Sequence, residues 1–421
     1  MAAPMHAPTE ERQARRLVVA LTTAAFLEWT GATAIVPLLP LFLRGKGASD
    51  SLIGLVMGAF FVSGVVTQYP LGKLSDRVGR RPVLVFGLAC YAVGSVAFAA
   101  PVSPAVYIAL RAVQGVGAGA TLVVAAATLS ESLPPDRRGR GFGALYGGQT
   151  AGMAVGPLLG SLAGPSSMTP VFIGAGLAAL LACGPVLAEV PGRPRAGRST
   201  TARKRPTFRQ LVRRRIVLGV MVAMASVGVL TGTYEVCWGL LMSSRGATSW
   251  QIGLSWTLWA VPFVVVSVPA GKLADRFDRR LLTALALLAS AGFAASYPFL
   301  PTVSLLLGLG ALEGLAVAVS YPAPLSLLAD GVKAEDLGGA QGLVSSSETA
   351  AMALFASVSG VLFAVSPWVA FVTAAAVIVI AVLALTVIWA PVEGRVAPQL
   401  AELSEAEAVE AEASFAAARR H

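Results

Sequence analysis

Histidine is almost missing from this 421-residue chain. His6 and His421 are the only two, and both lie in the terminal tails. No imidazole is available within the long apolar runs, so any proton handled there needs another carrier. Cysteine is scarce as well. Cys90, Cys183 and Cys237 each fall inside an apolar run, which fits small packing residues and excludes a disulfide framework or a metal-ligand spacing. Charged residues make up 13% of the chain, against roughly 25% in a soluble domain. That shortage, with 56% hydrophobic residues, excludes a soluble globular protein and implies an integral membrane protein. No Gly-x-x-x-x-Gly-Lys-Ser/Thr loop occurs, which argues against a pump driven by ATP.

What is present is a series of long apolar stretches. A bilayer-spanning helix needs ~20 mostly apolar residues. Twelve such helices are expected, at 17–43, 52–71, 82–100, 104–130, 141–163, 170–189, 216–242, 251–270, 281–299, 302–329, 339–363 and 367–390. Backbone polar groups in lipid must bond internally, so an all-α membrane protein is the expected class. Residues 1–16 are polar and carry no small-residue cleavage site, so the first run is expected to remain as a helix. The net charge of +10 does not point to nucleic acid, because the positive residues sit in loops between apolar runs. Most of the 32 Lys and Arg fall in the tails, in alternate loops and in the linker. The opposite side has only Arg44, Lys46 and Arg245. The positive-inside rule then places both termini and the linker in the cytoplasm. The expected organisation is a cytoplasmic tail (1–16), a six-helix half (17–190), a basic linker (191–215), a second six-helix half (216–390) and a cytoplasmic tail (391–421).

The two halves are copies. The charged island Gly72-Lys73-Leu74-Ser75-Asp76-Arg77-Val78-Gly79-Arg80-Arg81 returns 199 residues later as Gly271-Lys272-Leu273-Ala274-Asp275-Arg276-Phe277-Asp278-Arg279-Arg280. The same offset pairs Ile53-Gly54-Leu55 with Ile252-Gly253-Leu254, Gln114-Gly115 with Glu313-Gly314, and Gln149-Thr150-Ala151 with Glu348-Thr349-Ala350. Two pseudo-symmetric halves that rock about a site near the midplane give alternating access, the physical basis of a transporter.

These residues resemble the major facilitator superfamily over nearly the whole chain. Gly72-x-Leu74-x-Asp76-Arg77-x-Gly79-Arg80-Arg81 is similar to that family's loop between its second and third helices. Leu110-Arg111-x-x-Gln114-Gly115-x-Gly117 resembles its fourth-helix motif. Gly152-x-x-x-Gly156-Pro157-x-x-Gly160-Ser161 resembles the fifth-helix motif of its twelve-helix drug/proton antiporters, with Ser161 where a second glycine is usual. The resemblance implies the family's twelve-helix fold and proton-coupled efflux of small compounds.

The candidate residues follow from their types and positions. A carboxylate after the end of a helix is disfavoured by that helix's own dipole unless it meets another helix N-terminus or an arginine. Gly72, Asp76, Arg77, Arg80 and Arg81, with Asp275 and Arg276, are therefore expected to form a latch. Asp76 would face the start of the eleventh helix at Gly338-Gly339, and Asp275 the start of the fifth near Gly139 to Gly141. Arg111 is the one cation inside an apolar run, which marks a functional path or a partner; Glu28 or Gln114 is the expected partner. Glu28, Glu235, Glu313 and Glu348 are carboxylates within helices. Without histidine they are the proton-coupling candidates together with Arg111, with Glu28 and Glu313 ranked first. Gly148, Gly152, Gly156 and Gly160 recur every fourth residue beside Pro157, a spacing that lets two helix backbones approach closely. Phe26, Trp29, Gln114, Tyr146, Gln149, Tyr234 and Trp238 are the expected cavity lining, suited to an amphipathic cation.

The function expected is a secondary transporter that exports small hydrophobic or amphipathic compounds against protons, acting as a monomer in the cell membrane. The only energy source required is the proton gradient; no cofactor, metal or nucleic acid is expected. A proton symporter or facilitator for a metabolite, and a non-transporting membrane sensor on the same scaffold, are the alternatives.

Overall fold

The computed structural model describes residues 7–100, 102–192, 208–390 and 392. Side chains at 7–10, 135, 136, 208, 262–264, 267–276, 319, 334 and 335 are not described. Most of the expected linker and the C-terminal tail, and the Asp275 and Arg276 side chains, therefore lie outside the described residues.

Twelve long helices run up and down. They are α1 (Ala7–Ile35), α2 (Asp50–Val78), α3 (Arg80–Ala97), α4 (Val106–Ser132), α5 (Pro135–Ser161), α6 (Thr169–Glu189), α7 (Arg215–Ser244), α8 (Ser249–Arg276), α9 (Arg279–Ser296), α10 (Val303–Ser320), α11 (Ala334–Val365) and α12 (Pro367–Ile388). Among the described residues, ten helical segments are long and apolar enough to cross a membrane. α5 and α8 are of matching length; α5 is less apolar because it carries Arg137, Arg138 and Arg140 and a run of glycines.

Several expected ends move. The first helix stops at Ile35, and a short helix, Leu39–Gly45, follows the turn at Pro37. The tenth breaks at Tyr321 and continues as Pro322–Gly331, because Pro322 has no N–H to carry the ladder through. α5 begins at Pro135 and α11 at Ala334, several residues earlier than the apolar pattern suggests. Gly139, Gly141, Gly338 and Gly339 are thus inside helices and offer no free helix-start N–H groups, contrary to the latch geometry expected above.

The 199-residue repeat holds in contacts as well as in letters. Gly47 (φ 85°) and Gly246 (φ 81°) occupy matching turns in a region that favours glycine. Just beyond them Ser49 accepts from Leu52 N, and Thr248 Oγ1 accepts from Gln251 N. Arg80 pairs with Glu131, and Arg279 with Asp330. Arg81 Nε donates to Val190 O at 2.6 Å, and Arg280 Nη1 to Trp389 O at 3.2 Å. The ring of Phe98 lies 5.2 Å from that of Phe172, and Tyr297 lies 6.4 Å from Phe371.

Apolar packing is uneven along the bundle. Near the face that carries the starts of α1 and α7, each half has its own core: Leu17, Leu21, Leu84 and Leu129 in one, Val217, Val220, Ile378 and Leu385 in the other. Towards the opposite face one core joins both halves, from Ile35, Phe42 and Met57 to Val236, Leu240 and Phe371. There α2 meets α11, with Gly54 against the backbone of Ala356 and Ser357, and Thr257 Oγ1 on α8 donates to Ala154 O on α5 at 2.9 Å. On the first face, a side chain at Gly143 or Gly342 would meet nothing within 4 Å. The cleft between the halves is closed at one face and open at the face of the helix starts.

Candidate functional site

The polar residues within the bundle form three separate groups. The first is in α1 and α4. Glu28 is buried and accepts from Thr121 Oγ1 at 2.6 Å. Gln149 lies beside it on a cavity of about 20 Å³ enclosed by apolar side chains such as Leu88 and Leu145.

The second is around Arg111, which is 2% exposed. Its Nη1 donates to Gln114 Oε1 at 3.1 Å, and Gln114 Nε2 donates to Ser95 Oγ at 2.9 Å. The guanidinium also stands over the Phe60 ring, 4.6 Å from its centre, and Nη2 points at Met57 Sδ. Of the two expected partners the structure selects Gln114. Glu28 is taken up by Thr121 instead, because the two side chains leave α1 and α4 towards different neighbours. Arg111 Nε and Glu235 Oε2, one from each half, are both buried without a hydrogen-bond partner.

The third group is the best organised. Glu313, 2% exposed, accepts from Tyr234 OH at 2.8 Å through one oxygen and from Tyr297 OH at 2.7 Å through the other. Trp238 meets Tyr297 edge-on at 4.8 Å, and its Nε1 donates to Ser255 Oγ at 2.7 Å. With Trp256, whose buried Nε1 has no acceptor, these rings enclose a cavity of about 50 Å³. That volume holds a few waters, whereas a drug-sized ligand needs roughly 300–1,000 Å³. Nearer the open face, Tyr321 OH donates to Glu348 Oε1.

The remaining expected residues are placed as follows. Gly148, Gly152, Gly156 and Gly160 run along α5 against the backbone of α1: a Cβ at Gly152 would lie 2.7 Å from Phe26 O. The stripe is the close helix contact its spacing predicts. Phe26 and Trp29 are half-buried at that contact, and Tyr146 is exposed and stacked on Phe142. These three do not join the aromatic group around Glu313. Asp76 is exposed and pairs with Arg80 at 2.6 Å, within its own half, rather than with a helix start of the other half. Arg77 is exposed and Gly72 half-buried.

Sequence reasoning missed Tyr297, Tyr321, Thr121 and Ser255. Two of them carried a signal. At the 199-residue offset Phe98 becomes Tyr297 and Leu122 becomes Tyr321, so each gained hydroxyl stands where the first half has an apolar side chain. Glu131 and Asp330, the partners of the repeated arginines, are related in the same way.

Residues 21–236 and 236–420 match the Major Facilitator Superfamily. The class G tetracycline resistance protein of Vibrio anguillarum is 39% identical over 165 residues, which cover 37% of this chain and 42% of that protein. The multidrug resistance protein MdtL of Klebsiella pneumoniae is 26% identical over 318 residues, 72% of this chain and 79% of that protein. The chain thus spans less than half of the tetracycline resistance protein it matches and most of the second relative. Among solved structures, the nucleoside transporter NupG has a TM-score of 0.72 at 14% identity, covering 89% of this chain and 99% of that one. A bacterial homolog of the human lysosomal transporter Spinster, in an inward-facing and unoccupied conformation, has a TM-score of 0.70 at 14% identity, covering 90% and 96%. These two likenesses are of fold. With two six-helix copies about a central cleft and the match over both, the chain belongs to the major facilitator superfamily, a family of multi-pass membrane transporters rather than enzymes.

Proposed function

We propose that this transporter exports small hydrophobic or amphipathic compounds in exchange for protons, with both termini and the open face of the cleft in the cytoplasm. The observation that carries the reading is Glu313. It is the carboxyl that meets the aromatic cavity directly, and its two oxygens are held by the hydroxyls of Tyr234 and Tyr297. Aromatic faces around a carboxylate suit a cation with an apolar body. Trp256 adds an indole donor with no acceptor of its own. A proton on Glu313 removes the negative charge a cation would seek, so proton and substrate compete for one group. The names of the tetracycline and multidrug resistance relatives support efflux over uptake.

In this reading the cleft fills from the cytoplasmic side while the opposite face is held shut by α2 on α11 and α5 on α8. The narrow aromatic cavity is the innermost end of that path. Export follows when the halves rock and the Asp76 and Asp275 corners close. Asp76 would then exchange its Arg80 contact for the first turn of α11, at Ala334 to Leu337.

The test is transport by purified protein in proteoliposomes, with ethidium and tetracycline as probes. An imposed pH gradient should drive either probe, and the probe should in turn move protons. Glu313→Gln should lose gradient-driven transport and keep probe exchange without a gradient. Proton-driven transport unchanged in Glu313→Gln would reject Glu313 as carrier, and probe and proton moving in the same direction would reject export.

A further inference from the structure

We propose that the second half contains a built proton path from Glu313 to the open face, running through Tyr321 to Glu348. The proposal rests on the proton-coupled reading of Glu313 and adds the route by which that group exchanges its proton. Glu313 forms a partition. On one side is the aromatic cavity, and on the other a second cavity of about 20 Å³ lined by Tyr234, Ser290, Ser320 and Tyr321. One water needs roughly 10–15 Å³ and two or more polar partners. The second cavity meets both conditions. Ser290 on α9 is 1% exposed, and its hydroxyl has no hydrogen-bond partner in the protein. A buried orphan hydroxyl costs free energy unless a water or ligand satisfies it. At the far end of the cavity, Tyr321 donates to Glu348, which stands next to the exposed Ser345 and Ser346 of α11.

Local structure explains why Tyr321 reaches this place. It sits at the break between α10 and Pro322–Gly331, with φ −87° and ψ −54°. Side chains on a helix lean towards its N-terminus, so the ring of Tyr321 points back up the bundle towards the level of Glu348.

The first half supplies an internal control. At the matching positions Glu313, Tyr321 and Glu348 become Gln114, Leu122 and Gln149, and Ser290 becomes Tyr91. Both halves fold alike, so the fold does not require the two acids or the Tyr321 hydroxyl; only the Ser290 position keeps a hydroxyl in the first half, that of Tyr91, which is also buried without a hydrogen-bond partner. The acids and the Tyr321 hydroxyl concentrate in one half as a connected series. The ionisable groups facing Glu313 are Tyr234 from α7 and Tyr297 from the end of α9, and Tyr321 faces Glu348. Among the described residues neither carboxylate is in an ion pair with Lys or Arg, so no fixed cation traps the proton at either end.

The transfer balances. The Glu313 carboxyl gives its proton to the water, and the water gives one of its own to the Tyr321 oxygen. Tyr321 releases its hydroxyl proton to the Glu348 carboxylate. The water and the phenol end as they began, one proton has moved from Glu313 to Glu348, and no electron is transferred.

The experiment is a pH jump on the purified full chain, followed by the infrared carboxyl band that disappears in Glu313→Gln. Tyr321→Phe removes the hydroxyl and keeps the ring. Ser290→Val fills the cavity and removes the orphan group. Each should slow protonation of Glu313 by about 100-fold while leaving the extent of its titration at equilibrium unchanged. Ser326→Ala, on the far segment beyond Pro322, should leave the rate as in the wild type and serves as the folding control. Wild-type rates in both Tyr321→Phe and Ser290→Val would overturn the path and leave the Glu313 reading standing. A Glu313 band that never titrates would overturn both.

Discussion

Arg111 in one half and Glu235 in the other share a property: each has a buried polar atom that no hydrogen bond in the protein satisfies. Neither the fourth-helix motif nor the repeat predicts this relationship. The position matching Glu235 is Val36, and that matching Arg111 is Gly310.

Removing either charge leaves the other uncompensated in a low-dielectric interior. Arg111→Gln and Glu235→Gln should therefore each destabilise the protein, and the double variant should be destabilised by less than their sum. The coupling expected is about 1 kcal/mol for charged groups that interact without contact. Thermal unfolding of the four proteins in one detergent measures it, and strict additivity would show that the two charges do not sense each other.

Helix α5 offers a contrast between two of its glycines. A Cβ at Gly152 would press on the backbone of α1, and at Gly143 it would meet nothing within 4 Å. Gly152→Leu should cost ~3 kcal/mol or prevent folding, as overpacked sites do. Gly143→Ala should be neutral or stabilising by ~0.5 kcal/mol, from helix propensity alone. Yield and melting temperature distinguish them.

Asp76 pairs with Arg80 in this structure, where the face of the helix starts is open. If closure transfers Asp76 to the first turn of α11, Asp76→Asn should shift the population towards the open cleft. Thiol labelling reads this through a cysteine placed at Gly143, with Cys90, Cys183 and Cys237 replaced. The labelling rate should rise several-fold in Asp76→Asn, and an unchanged rate removes the latch.

Asp278 replaces the Gly79 of the first half and takes a different role. Gly79 has φ 102°, whereas Asp278 has φ −62° and accepts from Arg280 N and Leu281 N as the N-cap of α9. The hydrogen bond from the Arg280 side chain, first, and those from the two backbone N–H groups hold the carboxyl below its ordinary value. A lowered value means the cap contributes stability at and above the ordinary carboxylate range and loses it as pH falls through the lowered value. Asp278→Ala should cost ~1 kcal/mol near neutral pH. The difference from wild type should shrink in acid, as melting curves at several pH values will show.

Much of this molecule is legible in its residues. Scarce charge and long apolar runs dictate helices in lipid, because the backbone has no other partner there. An offset of 199 residues dictates two copies. The spacing of Gly148 to Gly160 foretells a close helix contact, and the contact exists. These features are local or periodic, so a linear reading finds them. Partners are another matter. Arg111 chose Gln114 over Glu28, Asp76 turned to its own half, and Glu313 found Tyr297 and Tyr234 from different helices. α5 and α11 began earlier than their apolar stretches, because a helix can start in polar sequence wherever its first turn is capped or solvated. Which side chains meet across helices depends on rotation and depth to within a fraction of a turn, and no spacing along one helix fixes these. The sequence by itself determined the lipid-embedded, twofold-repeated scaffold. Only the tertiary structure decided which buried acids are satisfied and which hydroxyls satisfy them.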